Sequence, residues 1–425
     1  GAEFGVRGYV TAYDSETGEE VWRFFTVPGD PSQPFEHPEM ELAAKTWKGG
    51  EWWKIGGGGT VWNSIVYDPD FNHVYLGVGN GAPWTRVIRS PGGGDNLFLT
   101  CIVAVDADTG EMKWYYQTVP GDNWDYTAVQ DMTLADMEVD GKQRKVIMQA
   151  PKNGFFYVID RSNGELLRAH PYVQTTWASH VDMETGRPVE NKELDYSDRA
   201  QWILPGPLGG HDWQAMSFDE KKGVVYIPAQ DAPWLYSVDA EYKATGLYKP
   251  NPGTLNLGQD LANSSFLAAK YADEQPASKG YLKAFDPLTG EDLWSVDHVH
   301  YWNSGVLATE GGLVFQGDGL GYLSAFDTDT GDKLWTFNTY ISMLAPPVTY
   351  EIDGQQYVAI LAGTGTAENF LGYTNDTAAI KYGNFGKLLA FKLDSNEFLA
   401  EPTIRDRTIP DQPPLTASAP ELIRG

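Results

Sequence analysis

The stretches AVDADTGEMKW (Ala104–Trp114) and AFDTDTGDKLW (Ala325–Trp335) decide the fold, because they are copies of one pattern: Ala, any residue, Asp, two residues, Thr-Gly, three residues, Trp. AYDSETGEEVW from Ala12 and AFDPLTGEDLW from Ala284 are two more copies. VIDRSNGELL from Val158 is a degenerate fifth, and LAFKL around Ala390 reads as a sixth whose turn has eroded. Self-similarity of this kind marks a repeat architecture. Each copy reads as a hairpin: one strand ends at Asp, Thr-Gly or Asn-Gly supplies a turn with a position at φ > 0, and a second strand follows. The Trp at the tenth place after Ala is then expected to pack between neighbouring units.

A second pattern runs on another phase. Trp62, Trp213 and Trp302 are each followed twelve residues later by Val and an aromatic: Val74-Tyr75, Val225-Tyr226 and Val314-Phe315. The triplet WNS occurs at both 62–64 and 302–304. Laid between the two patterns, SIVYDPD, HVYLGVG, IVAVDAD and MKWYYQT give four short strands, the content of a propeller blade. Ala284 and Ala325 open full motifs 41 residues apart, a blade's length, and longer gaps elsewhere leave room for inserted loops. The expected fold is an all-β propeller. Five nearly complete blades begin near Trp62, Tyr126, Trp213, Asn303 and Pro347, and residues 8–28 add a half blade.

Composition agrees with short strands and tight turns: 13% aromatic residues, 15 Trp and 46 Gly among 425 residues. With 58 acidic and 31 basic residues the formal charge is −27, which argues against nucleic acid or anionic lipid as a partner. Cys101 is the single cysteine, so these residues hold no internal disulfide, zinc cluster or Cys-x-x-Cys-His haem attachment. The longest apolar run, YVAILAG from Tyr357, is strand-sized, and no membrane span is expected. GAEFGVRGYV reads as the interior of a domain, so the chain is expected to start within a longer protein. PDQPPLTASAP (Pro410–Pro420) reads as an extended linker. Residues 1–409 are therefore assigned to a partial propeller and 410–425 to the linker.

Several catalytic signatures are missing: there is no His-Glu-x-x-His, no Gly-Lys-Ser/Thr after the glycine runs at 56–59 and 92–94, and no Gly-x-Ser-x-Gly elbow. What remains are polar residues in unusual settings: Glu3 in GAEFGVRG, Asn80 in GVGNGAPW, Asp125 in NWDY, Lys152 in APKNGFFY and Asp212 in GGHDWQ. Asp125 lies between Trp124 and Tyr126, where rings strip water from its carboxylate, so it needs a backbone amide, a cation or a substrate proton. Asp122 and Asn123 read as turn residues bonded to the local backbone. Propeller geometry brings equivalent blade ends to one central face. Glu3, Asn80 and Asp125 there supply hard oxygens of the kind calcium takes, and Trp62 offers a flat ring.

GAEFGVRGYVTAYDSETGEEVW, GGGGTVWNSIVYDP, GVGNGAPW, RSPGGGDNLF, PGDNWDYTA and APKNGFFYVIDR, in this order, resemble the pyrroloquinoline-quinone (PQQ)-dependent alcohol dehydrogenases, particularly the quinohaemoprotein type. The resemblance implies an eight-bladed propeller, of which this chain would hold about five and a half blades. It implies PQQ and calcium as cofactors, with haem c confined to a cytochrome c domain after the linker. Glu3 and Asn80 match the calcium ligands; Asp125 matches the catalytic base and a further metal oxygen. Trp62 matches the ring beneath the quinone, with Ala2, Thr60, Lys152, Asp212 and Trp302 around the cofactor. The implied activity is oxidation of small primary alcohols to aldehydes by hydride transfer, in the periplasm, with cytochrome c or a similar protein as electron acceptor.

Three departures accompany the match. The family's adjacent cysteine pair falls upstream of GAEFG, the haem domain falls beyond the linker, and Asp212 stands where the family usually has Asn. Family members that use lanthanides carry an extra Asp two residues after the base; here that position is Thr127, which favours calcium. The alternatives are a non-catalytic propeller scaffold, since fold does not imply function, and a methanol or aldose dehydrogenase of the same quinoprotein class.

Overall fold

A computed structural model describes residues 2–251, 253–365 and 376–406. The linker assigned to 410–425 lies outside the described residues. Strands dominate, with short helices such as Pro38–Ala44 and Ser264–Lys270 between them. Among the described residues, four antiparallel sheets have four strands each. The first joins Ile65–Asp68, His73–Gly77, Cys101–Asp106 and Met112–Gln117, the four strands read from sequence. The second spans Thr133–Pro171, the third Ser217–His298 and the fourth Val306–Asn338. A three-stranded sheet over Val348–Lys392 follows, and Tyr9–Tyr13 pairs with Glu20–Phe25 at the other end.

The repeat pattern has a physical reading at every position. The motif Asp accepts hydrogen bonds from the two amides that follow: Asp106 Oδ1 from Asp108 and Thr109, Asp286 Oδ1 from Leu288 and Thr289, Asp327 Oδ1 from Asp329 and Thr330. The glycine closes the turn with its N–H on the Asp carbonyl, 2.9 Å away in the copies at Gly110, Gly290 and Gly331, each at φ > 0. Ala and Trp stand ten residues apart because they are cross-strand partners: Ala12 with Trp22, Ala104 with Trp114, Ala284 with Trp294, Ala325 with Trp335. A small residue opposite leaves the indole room to reach sideways.

The indole docks on the next unit's turn. Trp22 Nε1 donates to Ala107 O (2.9 Å), Trp114 Nε1 to Arg161 O (3.1 Å) and Trp294 Nε1 to Thr328 O (2.9 Å). Each ring lies flat on the neighbouring turn glycine, where an added Cβ would come within 2.7–2.8 Å of it at Gly110, Gly164 and Gly331. The degenerate copy differs. Arg168 occupies the tenth place after Val158, and His170 takes the docking role, against Gly290 and with Nε2 3.2 Å from Leu288 O.

Candidate active site

The candidate residues sit in loops between strands of these sheets. The connection from Gly77 to Cys101 carries Asn80, Trp84 and Arg89, and the segment after Gln117 carries Asp125. Glu3 lies in a single turn, Ala2–Phe4, in which Ala2 is buried. Its Oε1 accepts hydrogen bonds from Asn80 Nδ2 (2.9 Å) and Trp84 Nε1 (3.0 Å). Burial works against the Glu3 charge, but these donors and its own backbone amide hold the carboxyl below its usual value. Asn256 fixes the backbone, its N and Nδ2 both donating to Glu3 O. With its amide nitrogen committed to Glu3 and to Gly81 O, Asn80 has Oδ1 to offer a cation.

Asp125 is buried with its backbone at φ +65°, the left-handed region that Asp tolerates better than most residues. Of the partners its sequence context allowed, the structure supplies the cation: Lys152 Nζ donates to Asp125 Oδ2 at 3.0 Å. Burial pushes the Asp125 carboxyl well above its usual range; Lys152 opposes that shift and Glu3 adds to it, so the two acids lie close enough to interact. Lys152 also faces Asp212 Oδ2 at 3.9 Å. Its own burial lowers the ammonium pKa, but Asp125 and Asp212 outweigh this and raise it. Asp212 is pushed up to about 6, by burial first, with Lys152 opposing.

Two tryptophans lie beside residues that adjoin the candidate groups in sequence. Trp62 is 41% exposed and lies along Gly79, whose N–H bonds Thr60 O at 3.0 Å. Trp302 is buried and packs edge-on against Trp213, the neighbour of Asp212, with ring centroids 6.4 Å apart. The structure therefore groups Glu3 with Asn80, Asp125 with Lys152 and Asp212, Thr60 with Trp62, and Trp302 with the Asp212 loop.

Asp122 follows the turn reading and Asn123 departs from it. Asp122 does bond locally, its Oδ1 accepting from Trp124 N and Tyr126 N (both 3.1 Å), but it is fully buried and pushed up to about 6. Asn123 reaches far along the chain instead, accepting from Arg86 N and Tyr196 OH. Trp84, Asn256 and Arg89 were missed by sequence reasoning. Only the placement of Trp84 after Gly-Asn-Gly-Ala-Pro hinted at a role.

The family described as "PQQ: Glucose/ethanol/alcohol dehydrogenase, beta-propeller domain" matches residues 2–188 and 182–358. The chain belongs to this family. A quinohaemoprotein alcohol dehydrogenase, ADH IIB, of Pseudomonas putida is 46% identical over 431 residues, taking in 100% of this chain and 60% of that protein. The quinohaemoprotein alcohol dehydrogenase of Comamonas testosteroni is 49% identical over 371 residues, 86% of this chain and 51% of that protein. The chain thus spans about half to three fifths of these relatives. The solved ADHIIG of P. putida HK5 superimposes with a TM-score of 0.87 at 44% identity, over 100% of this chain and 62% of that one. A solved europium-containing methanol dehydrogenase gives 0.77 at 29% identity, over 92% and 71%.

The site residues fit the quinone this family is named for. Thr60 Oγ1, Asp212 Oδ1 and Trp302 Nε1 are buried without a hydrogen-bond partner, a condition native structures rarely leave unexplained. With Lys152 these residues offer donors and an acceptor of the kinds an oxygen-rich planar group takes, and the half-exposed Trp62 offers a ring face. Among the described residues no helix is long and apolar enough to cross a membrane.

Proposed function

We propose that this chain is the catalytic propeller of a quinohaemoprotein-type alcohol dehydrogenase, oxidising small primary alcohols to aldehydes in the periplasm and passing electrons to cytochrome c or a similar acceptor. The observation that carries this reading is that three of the residues assigned to the cofactor from sequence, Thr60, Asp212 and Trp302, have buried polar atoms with no partner in the protein. When bound, PQQ supplies a two-electron acceptor and calcium supplies Lewis acidity.

Asp125 is the base. Lys152 engages Oδ2, so Oδ1 is the oxygen left to take the alcohol's hydroxyl proton as the C–H bond gives up its hydride. Burial makes its carboxylate more basic than an exposed aspartate, with Lys152 opposing that rise. Lys152 holds that carboxylate in place and contributes positive charge where negative charge develops. Thr60, Lys152, Asp212 and Trp302 would hold the quinone's edge, Ala2 would pack beside it, and Trp62 would support its face. Glu3, Asn80 and Asp125 would hold the ion.

Glu3 and Asp125 bring two formal negative charges, which balance a divalent ion. Thr127 adds none; it is buried and its hydroxyl pairs with Gln130. Calcium is accordingly the expected metal. The test is to strip the metal from the complete protein carrying these residues and add back calcium or lanthanum with PQQ, following alcohol-dependent dye reduction. Calcium is expected to restore turnover. Restoration by lanthanum alone would overturn the metal assignment, and no restoration by either would overturn the activity.

A further inference from the structure

Arg89 belongs to the RSPGGGDNLF stretch, and its hydrogen bonds go to Pro83, Trp84, Asn96 and Asp122 rather than to Glu3, Asn80 or Asp125. It is 1% exposed, its hydrogen bonds go to uncharged oxygens, and the charge acting most in its favour is the Asp122 carboxyl. Nη1 donates to Pro83 O (2.5 Å) and Trp84 O (2.8 Å), Nε donates to Asn96 Oδ1 (3.2 Å), and Nη2 donates to Asp122 O. Two of these carbonyls lie on the loop that follows Asn80. A third lies on the loop that presents Asp125.

Both loops act through the residues so held. Trp84, whose carbonyl Arg89 grips, donates its indole N–H to Glu3 Oε1. Asp122, whose carbonyl Arg89 also grips, accepts from the amides of Trp124 and Tyr126, the two neighbours of Asp125. The guanidinium thus spans from the support of a metal oxygen to the turn that sets Asp125 at positive φ. Burying a cation is costly, and where stability alone is needed apolar packing does as well or better. Gly81 is built around it: a Cβ there would lie 2.6 Å from Arg89 guanidinium atoms.

We propose that Arg89 is a positioning residue that fixes the distance between the base Asp125 and the Glu3–Asn80 corner. This rests on the roles given above to Asp125, Glu3 and Asn80. A lysine cannot replace it, since one ammonium carries three donors at a point, whereas the guanidinium fork reaches acceptors on separate loops.

The test uses Arg89→Lys and Gly81→Ala in the complete protein. Gly81→Ala keeps the charge and displaces the fork. Both variants are expected to unfold cooperatively like the parent. In each, kcat should fall about 10- to 100-fold, the effect of misplacing a reacting group by about 1 Å, with KM for alcohol nearly unchanged. Calcium titration of the quinone-free protein, read by tryptophan fluorescence, should show about tenfold weaker binding, or about 1.4 kcal/mol. Folded variants with parental kcat and calcium affinity would overturn the proposal, as would loss of folding in both, which would assign Arg89 to stability. If Arg89→Lys alone fails to fold, Gly81→Ala decides. Asp125→Asn, measured alongside, separates the two levels: full activity there refutes the site itself, whereas an inactive Asp125→Asn beside parental Arg89→Lys and Gly81→Ala refutes only the role of Arg89.

Discussion

The docking tryptophans at the seams between sheets and the tryptophan at the candidate site treat their indole N–H in opposite ways. At the seams Trp22, Trp114 and Trp294 each give their indole N–H to a backbone carbonyl of the next unit. At the site Trp302 is as buried as Trp114, yet its Nε1 meets no acceptor, and Thr60 and Asp212 each keep an unpartnered oxygen. The same residue type closes one region and leaves the other incomplete. The satisfied indoles tie neighbouring sheets together, and under the proposed function a ligand completes the atoms that Thr60, Asp212 and Trp302 leave unpartnered.

Breaking each region should therefore give a different signature. Asp125→Asn is expected to lower alcohol oxidation by about 10²- to 10⁴-fold, the usual worth of a general base, with the melting temperature close to the parent's. Undiminished turnover would remove Asp125 from the mechanism. Trp114→Ala should do the reverse, costing about 3–5 kcal/mol of stability, as deletion of a buried aromatic does. Calorimetry would read this as a large fall in Tm, while the fraction that remains folded should bind quinone as the parent does.

A matched pair sharpens the contrast. Trp114→Phe and Trp302→Phe each shrink a buried ring, but only the first removes a hydrogen bond made within the protein. Trp114→Phe should be the less stable of the two in quinone-free protein, by about 1 kcal/mol. With quinone added, Trp302→Phe should show the weaker binding, by up to about tenfold. Equal effects of both on stability and on binding would erase the distinction.

The smallest expected effect concerns Asp131, beside the Asp212 loop. Its Oδ2 accepts from Met216 N, while Oδ1 is sealed, without a hydrogen bond, and 3.9 Å from His211 Nε2. Burial pushes its carboxyl up to about 7, above the value near 4 of an unfolded chain. Between those values the native state keeps a proton that the unfolded state has lost, so stability falls as pH rises from about 4 to about 7. Asp131→Asn should therefore gain more in Tm over the parent at pH 8 than at pH 5. An equal gain at both pH values would contradict the shift.

What the sequence made legible follows from the range of the interactions. The blades could be read because the Asp, Thr-Gly, Ala and Trp of each motif act within eleven residues of chain, through one turn and one cross-strand pair. Where the pattern was broken, at Val158, the substitute His170 could not be foreseen, because its partner Gly290 lies 120 residues away. Asp125 and Lys152 stood out by local oddity, a charge among rings and a Lys before Asn-Gly. The groups that hold the site together did not. Asn256 reaches Glu3 across 253 residues, and Arg89 reaches Asp122 across 33. A single sequence carries no trace of such pairings.

Under the proposed function, the unpartnered atoms of Thr60, Asp212 and Trp302 hold a quinone, and Glu3, Asn80 and Asp125 hold an ion. A crystal structure of the complete protein reconstituted with PQQ and calcium tests it most directly. The quinone is expected to stack on Trp62, within hydrogen-bond reach of Thr60, Lys152, Asp212 and Trp302, and the calcium to be bound by Glu3, Asn80 and Asp125. A quinone seated elsewhere, with Thr60 Oγ1, Asp212 Oδ1 and Trp302 Nε1 still unpartnered, would contradict it.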